Sequence, residues 1–220
     1  MGIHNIILIN SIGYLSPKNN NNFTKKRNYM GKDSINEIIR NRRSIFPPQY
    51  NDKPVSKAFI KILLENANWA PTHRLTQPWR FKVVQGSSKD RLGTFLSDTY
   101  TDITSDQDFS PFKHKKIRNN CTMASAIIVI CMKRDEKKRI PEWEEIASTA
   151  MAVQNMWLTC SANDIGCYWS SPKLINYMGD FFDFEEGERC LGFFYLGNYN
   201  QEEDLTSKRD LIEDKIKWLD

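Results

Sequence analysis

The chain has 220 residues, 40% of them hydrophobic, which suits one compact domain with a sizeable core. Its formal charge of +4 reflects 31 basic and 27 acidic residues, yet residues 1–32 carry Lys18, Lys25, Lys26, Arg27 and Lys32 with no acid among them. Without that stretch the charge is nearly balanced, so the long-range positive field that drives non-specific binding to nucleic acid or an anionic membrane is missing.

Residues 1–33 read as an appendage. The run Asn19 to Asn22 and its basic neighbours lack the periodic apolar residues needed to bury a face. Two readings stay open for it: an Asn-rich extension on a cytoplasmic protein, or a presequence directing the protein to a mitochondrion or another organelle. The globular domain is expected over residues 34–220.

Ser34, with Glu37 three residues on, predicts a capped helix whose stripe is Ile35, Ile38 and Ile39 and which ends near Asn41. A second helix follows Ser56, where Phe59, Ile60, Leu63, Leu64 and Ala67 recur at helical spacing before Pro71. Residues 70–78 then form a loop. Trp79, Phe81 and Val83 alternate with Arg80 and Lys82 as a strand does, and residues 124–132, apolar apart from Ser125, predict a strand buried on both faces. Helix and a polar connection lie between them.

A long helix is predicted over residues 143–162. It carries Ile146, Ala150, Met151, Val153, Met156, Trp157 and Cys160, apolar on more than one side, which suits burial between the sheet and a second subunit or within one subunit. Residues 167–169 and 190–196 are the remaining strands, with helical pieces expected over 172–178 and 207–218. The order is α+β with no βαβ repeat, no Gly-x-Gly-x-x-Gly dinucleotide fingerprint and no Gly-x-x-x-x-Gly-Lys phosphate loop. The longest apolar run, 124–132, is too short for a transmembrane helix.

The five cysteines, Cys121, Cys131, Cys160, Cys167 and Cys190, show no zinc half-site spacing and read as reduced thiols. His4, His73 and His114 do not pair at ligand spacing, so no metal site is predicted.

Three segments can carry chemistry. Arg42, Arg43 and Ser44 offer two guanidiniums and a hydroxyl, donors suited to a phosphate, or form a solvated basic turn. In the loop Ala70-Pro71-Thr72-His73-Arg74-Leu75-Thr76-Gln77-Pro78-Trp79, Gln77 can both donate and accept, and His73 is either a proton source or a surface-loop histidine. Trp79 is expected in the core. In Asp164-Ile165-Gly166-Cys167-Tyr168-Trp169-Ser170-Ser171-Pro172, Gly166 is read either as letting the backbone approach a ligand or as a helix C-cap, and exposed amides can stabilise an electron-rich ring.

In this order the segments resemble the nitroreductase family, specifically its short YdjA-like branch, from about residue 34 to 199. The resemblance rests on Asn41-Arg42-Arg43-Ser44, Ala70-Pro71-Thr72-His73, Gln77-Pro78-Trp79-Arg80-Phe81, the helix entry at Pro141, Trp143 and Glu144, and Leu191-Gly192-Phe193-Phe194-Tyr195-Leu196-Gly197. It implies an α+β fold, a central mainly antiparallel sheet flanked by helices, in an intertwined homodimer with two FMN sites. Arg42, Arg43 and Ser44 would hold the phosphate end. Trp169, Ser170 and Ser171 would contact the flavin from the same subunit, and His73 with Gln77 from the partner.

NAD(P)H would be the reductant of a ping-pong oxidoreductase acting on nitroaromatics, quinones or related small acceptors, with His73 as the candidate catalytic residue. The sequence departs from the branch at Ser170, where a basic residue is usual. Lys208 and Arg209 are the candidates to compensate. That departure leaves a second reading, a flavin-binding protein of the same fold with little turnover, and a third, a dimeric scaffold without cofactor.

Overall fold

The computed structural model describes residues 32–200 and 208–219. The extension reading of residues 1–31 therefore lies outside the described residues. Four strands, β1 (Trp79–Val84), β2 (Ala126–Lys133), β3 (Ile165–Ser170) and β4 (Glu188–Asn198), form one antiparallel sheet in the order β1-β2-β4-β3. Five helices flank it: α1 (Lys32–Asn41), α2 (Lys57–Ala67), α3 (Ser87–Asp102), α4 (Pro111–Met123) and α5 (Glu142–Ser161).

β2 is buried along nearly its whole length because both its faces are covered. Ala126, Ile128 and Ile130 share a core with Leu63 of α2 and Val153 and Met156 of α5. The alternate residues Ile127, Val129 and Cys131 share another with Leu92 and Leu96 of α3, Cys121 of α4, and Leu174 and Met178. The period of two thus sorts one apolar strand into two cores.

Local chemistry fixes the helix boundaries. Ser56 Oγ accepts from the Phe59 amide at 3.1 Å to cap α2, as the sequence predicts. Ser110 Oγ accepts from Lys113, and Pro111 opens α4 at the position that needs no amide donor. Glu142, Glu144 and Glu145 occupy the first turn of α5, where the helix dipole favours anions. The fully buried Glu145 pairs with Arg134 and accepts from the Asp135 amide at 2.8 Å, which ties the end of β2 to the start of α5.

Two expectations change, and one between them holds in a tighter helical form. Ser34 lies inside α1, which begins two residues earlier, and Ile35 and Ile39 are exposed rather than forming a buried stripe. The segment after β3 is a 3-10 helix, Lys173–Asp180, anchored by Leu174 and Met178. Among residues 208–219 only Glu213–Lys215 makes a helical turn, and Leu211, Ile212, Trp218 and Leu219 are exposed. A short segment gains helical stability mainly by burying an apolar face, and among the described residues this one is covered by none.

Candidate functional site

The segment after α1 runs beside β3. Its register is held by the Ile45 amide donating to Cys167 O at 3.0 Å, the Asn51 amide donating to Asn198 O at 2.7 Å, and a bridge between Tyr50 and Tyr199. Tyr50 donates its hydroxyl to Ile45 O at 2.8 Å and also lies 3.2 Å from Tyr195 O. Its ring fills the space left by two facing glycines. A Cβ on Gly197 would sit 2.3 Å from that ring, and one on Gly166 2.9 Å. Gly166 is therefore neither a C-cap nor a ligand approach: Ala162 caps α5, Gly166 is in β3, and the vacated space belongs to Tyr50.

This places the basic segment. The Arg42 guanidinium lies over the Trp157 ring of α5, 4.7 Å from its centroid, while Trp157 Nε1 donates to Arg43 O at 3.1 Å. Partial burial lowers the Arg42 pKa; the Cys167 thiol opposes this, and the charges of Arg209 and Arg43 add to it. The charges of Arg43 and, from the C-terminal segment, Arg209 are thus both felt at Arg42. Ser44 is half-buried in the same stretch.

Farther along β3, Phe46 stacks at a tilt on Tyr168, ring centroids 4.6 Å apart. Tyr168 and Ser170 open onto a cavity of about 410 Å³ walled by Phe112, Lys113, Lys116 and Asn120 of α4, with Phe193 and Tyr195 also lining it. Trp169 points to the opposite face, its Nε1 donating to Leu191 O at 3.4 Å. Ser171 is exposed at the strand exit. The α4 residues were missed from sequence. Their signal was present, since Lys113, Lys116 and Asn120 recur at helical spacing on one face.

The loop residues lie elsewhere. Arg74, Leu75 and Gln77 all take left-handed backbone conformations, with φ of 51°, 54° and 43°. Such clusters of strain persist only where surrounding contacts enforce them. Here Thr72 Oγ1 accepts from the Gln77 amide at 3.0 Å, and Arg80 donates to Gln77 O at 3.1 Å. His73 donates from Nδ1 to Glu144 Oε2 at 2.6 Å, in the first turn of α5. Trp79 is in the core, as expected, with Nε1 donating to Asn68.

The structure thus sets the segment of Arg42, Arg43 and Ser44 beside β3, whose end carries Trp169 and Ser170 on opposite faces with Ser171 at the exit, and leaves His73 and Gln77 apart. β1 and β3 are opposite edges of the sheet. His73 contacts α5 at Glu144 and Arg42 contacts it at Trp157. At 1.5 Å rise per residue those anchor points are about 20 Å apart.

Comparison with known proteins fits this geometry. The nitroreductase family profile matches residues 39–198. The chain belongs to the nitroreductase family. It is 29% identical over 186 residues, 83% of this chain and 92% of the other, to YfhC of Bacillus subtilis, a protein provisionally named as an NAD(P)H nitroreductase. A nitroreductase-like protein of Bacillus cereus superposes with a TM-score of 0.72 at 26% identity, covering 84% of this chain and 96% of that one. The FMN-dependent nitroreductase NfnB of Mycobacterium smegmatis, solved in complex with NADPH, superposes at 0.67 over 84% and 97% of the two chains; at 14% identity it shows the shared fold. The antiparallel sheet flanked by helices is thus that of nitroreductase-like structures.

Proposed function

We propose that this protein is an FMN-dependent NAD(P)H oxidoreductase working as a homodimer. In this reading Arg42, Arg43, Ser44, Trp169, Ser170 and Ser171 hold the flavin from one chain, and His73 and Gln77 reach it from the other. The observation that carries it is one strand, β3, with the Arg42 to Ser44 segment beside it and a ring-sized cavity against its Tyr168 and Ser170.

The residues present fit FMN. Arg43 and Arg209 both act against the charge of Arg42, and a phosphate placed beside it would offset that while accepting charge-assisted hydrogen bonds. The cavity beside Ser170 has aromatic walls in Tyr168 and Phe112, suited to a planar ring. Lys113 and Lys116 put positive charge beside Ser170, where the branch usually has a basic side chain. They and Arg209 are the compensation for that departure.

Bound there, FMN supplies the two-electron carrier between NAD(P)H and an acceptor such as a nitroaromatic or quinone. The chain's own residues orient and polarise. Cationic Lys113 and Lys116 favour a ring that has gained electrons. His73, held through Nδ1 by Glu144, keeps Nε2 for a proton, with solvent as the alternative donor. The dimer reading is supported by apolar side chains left in water, Trp69 at 86% and Trp143 at 67% exposed, and by the 20 Å that separates the two groups of residues along α5.

The test is a spectrum and an anaerobic titration. The purified chain should be yellow, release FMN on denaturation, and bleach with NADH or NADPH. Protein that is colourless and cannot take up FMN contradicts the proposal; protein that is yellow but does not bleach supports the flavin-binding reading with little turnover.

A further inference from the structure

Four of the five cysteines stand in two close pairs, and one pair has access to a cavity. Cys131 of β2 and Cys190 of β4 are direct cross-strand partners, so their side chains share one face. Directly opposed antiparallel residues have Cα atoms roughly 4.5 to 5.5 Å apart, inside the span of about 4.4 to 6.8 Å that a disulfide bridges. The register shifts between Ile130 and Cys131, a bulge that leaves Leu191 out of the ladder.

Cys190, 5% exposed, lines a cavity of about 390 Å³ with Asn176, Gly179, Phe184, Glu188 and Arg189. Cys131 lies behind it, fully buried. Close by, the buried Glu188 carboxylate is neutralised by the Lys82 ammonium 2.6 Å away.

We propose that Cys190 and Cys131 are a modification site for small hydroperoxides, which enter through this cavity and convert the two thiols into a cross-strand disulfide. Roles follow from access, since Cys190 lines the cavity and Cys131 lies behind it. A hydrogen bond to Cys190, with burial, holds the Cys131 thiol pKa far above its usual value, so Cys131 keeps its proton and donates it to the Cys190 sulfur. Cys190 is the member that faces the cavity, and so the one an entering hydroperoxide meets first.

The Cys190 thiolate attacks one oxygen of the hydroperoxide. The O–O bond breaks, the other oxygen leaves with the electron pair and takes up a proton, and Cys190 becomes a sulfenic acid. The Cys131 sulfur then attacks the Cys190 sulfur, the S–O bond breaks, and the departing hydroxide takes the Cys131 proton as water. Two thiols have lost two electrons and the hydroperoxide has gained them. The change falls beside the bulge from which Leu191 O receives the Trp169 indole, so it bears on the backbone that places Trp169.

The other thiols set the contrast. Cys160 and Cys167, also close to one another, are 0% and 2% exposed, and Cys121 is fully buried with its pKa pushed up to about 12, mainly by burial. The experiment treats the reduced full chain with hydrogen peroxide, quenches by alkylation, and maps peptides without reduction, using fragmentation that separates Cys121 from Cys131. Two of the five thiols should vanish together into one Cys131–Cys190 linkage that dithiothreitol reverses. Cys131→Ser should accumulate a sulfenic acid on Cys190 that dimedone traps, and Cys190→Ser should leave Cys131 free. The exposed Met123 and Met151 gauge oxidant dose within the same sample. Survival of all five thiols after those methionines have become sulfoxides overturns the proposal, as does a first linkage between any other two cysteines. The wild-type map decides the matter even if a variant fails to fold.

Discussion

Arg42 lies over Trp157, partly buried, with the charges of Arg43 and Arg209 acting on it, which makes it the most exacting test of the phosphate reading. Hydrogen bonds to charged groups contribute roughly 1.5 to 3 kcal/mol each, so Arg42→Ala should weaken FMN binding by about one to two powers of ten. Riboflavin, which has the ring without the phosphate, should lose little. Fluorescence titration of the apoprotein with both ligands checks this, and equal losses would mean general damage rather than a lost phosphate contact. Gly197 tests the scaffold beneath. Gly197→Ala pushes a methyl group into the Tyr50 ring and should destabilise the fold by about 1 to 3 kcal/mol, read as a lower thermal midpoint. In a Tyr50→Ala background the cost should shrink, because the clash is gone; an unchanged cost would show that Tyr50 is not what Gly197 accommodates. Arg42 and Ser44 offered donors suited to a phosphate from residue type, but the same residues read equally as a solvated basic turn. The Tyr50 slot was not legible, because it is built by side chains more than a hundred positions apart.

At the scale of elements, sequence succeeded where one periodicity dominates. β2 announced itself by an unbroken apolar run, α2 by its stripe and Ser56, and α5 by its length. The stretch between β1 and β2 was read as helix plus connection, although Leu92, Leu96 and Tyr100 are spaced four apart on α3 and pack against α4 beside Gly93. The resolution was lost at Lys113 and Lys116, whose role depends on facing β3 across a cavity. The C-terminal stretch has helix-compatible apolar spacing but packs on nothing among the described residues. The reading of residues 1–33 as an appendage rests on composition, an Asn-rich polar stretch with little apolar area. A chain starting at Met30 should therefore retain full-length FMN content and thermal midpoint; aggregation or flavin loss in that truncation would show that the domain begins earlier.

For the whole molecule, the decisive feature is that one chain holds its two groups of proposed flavin ligands at opposite sheet edges and far apart along α5. Trp69, Leu75, Trp143 and Trp218 are exposed in the single chain and are the surfaces a second copy would cover. Sedimentation should accordingly show a dimer with no folded monomer, and a stable monomer carrying FMN would contradict the shared site. Complementation tests the claim most directly. A chain with Arg42→Ala and Arg43→Ala and a second chain with His73→Ala and Gln77→Ala should each be nearly inactive as homodimers. Co-expressed and isolated as a heterodimer, they should recover NAD(P)H oxidation in one of the two sites, because one site then draws Arg42 and Arg43 from the second chain and His73 and Gln77 from the first. A heterodimer as inactive as its parents, though folded and dimeric, would mean that each site lies within a single chain.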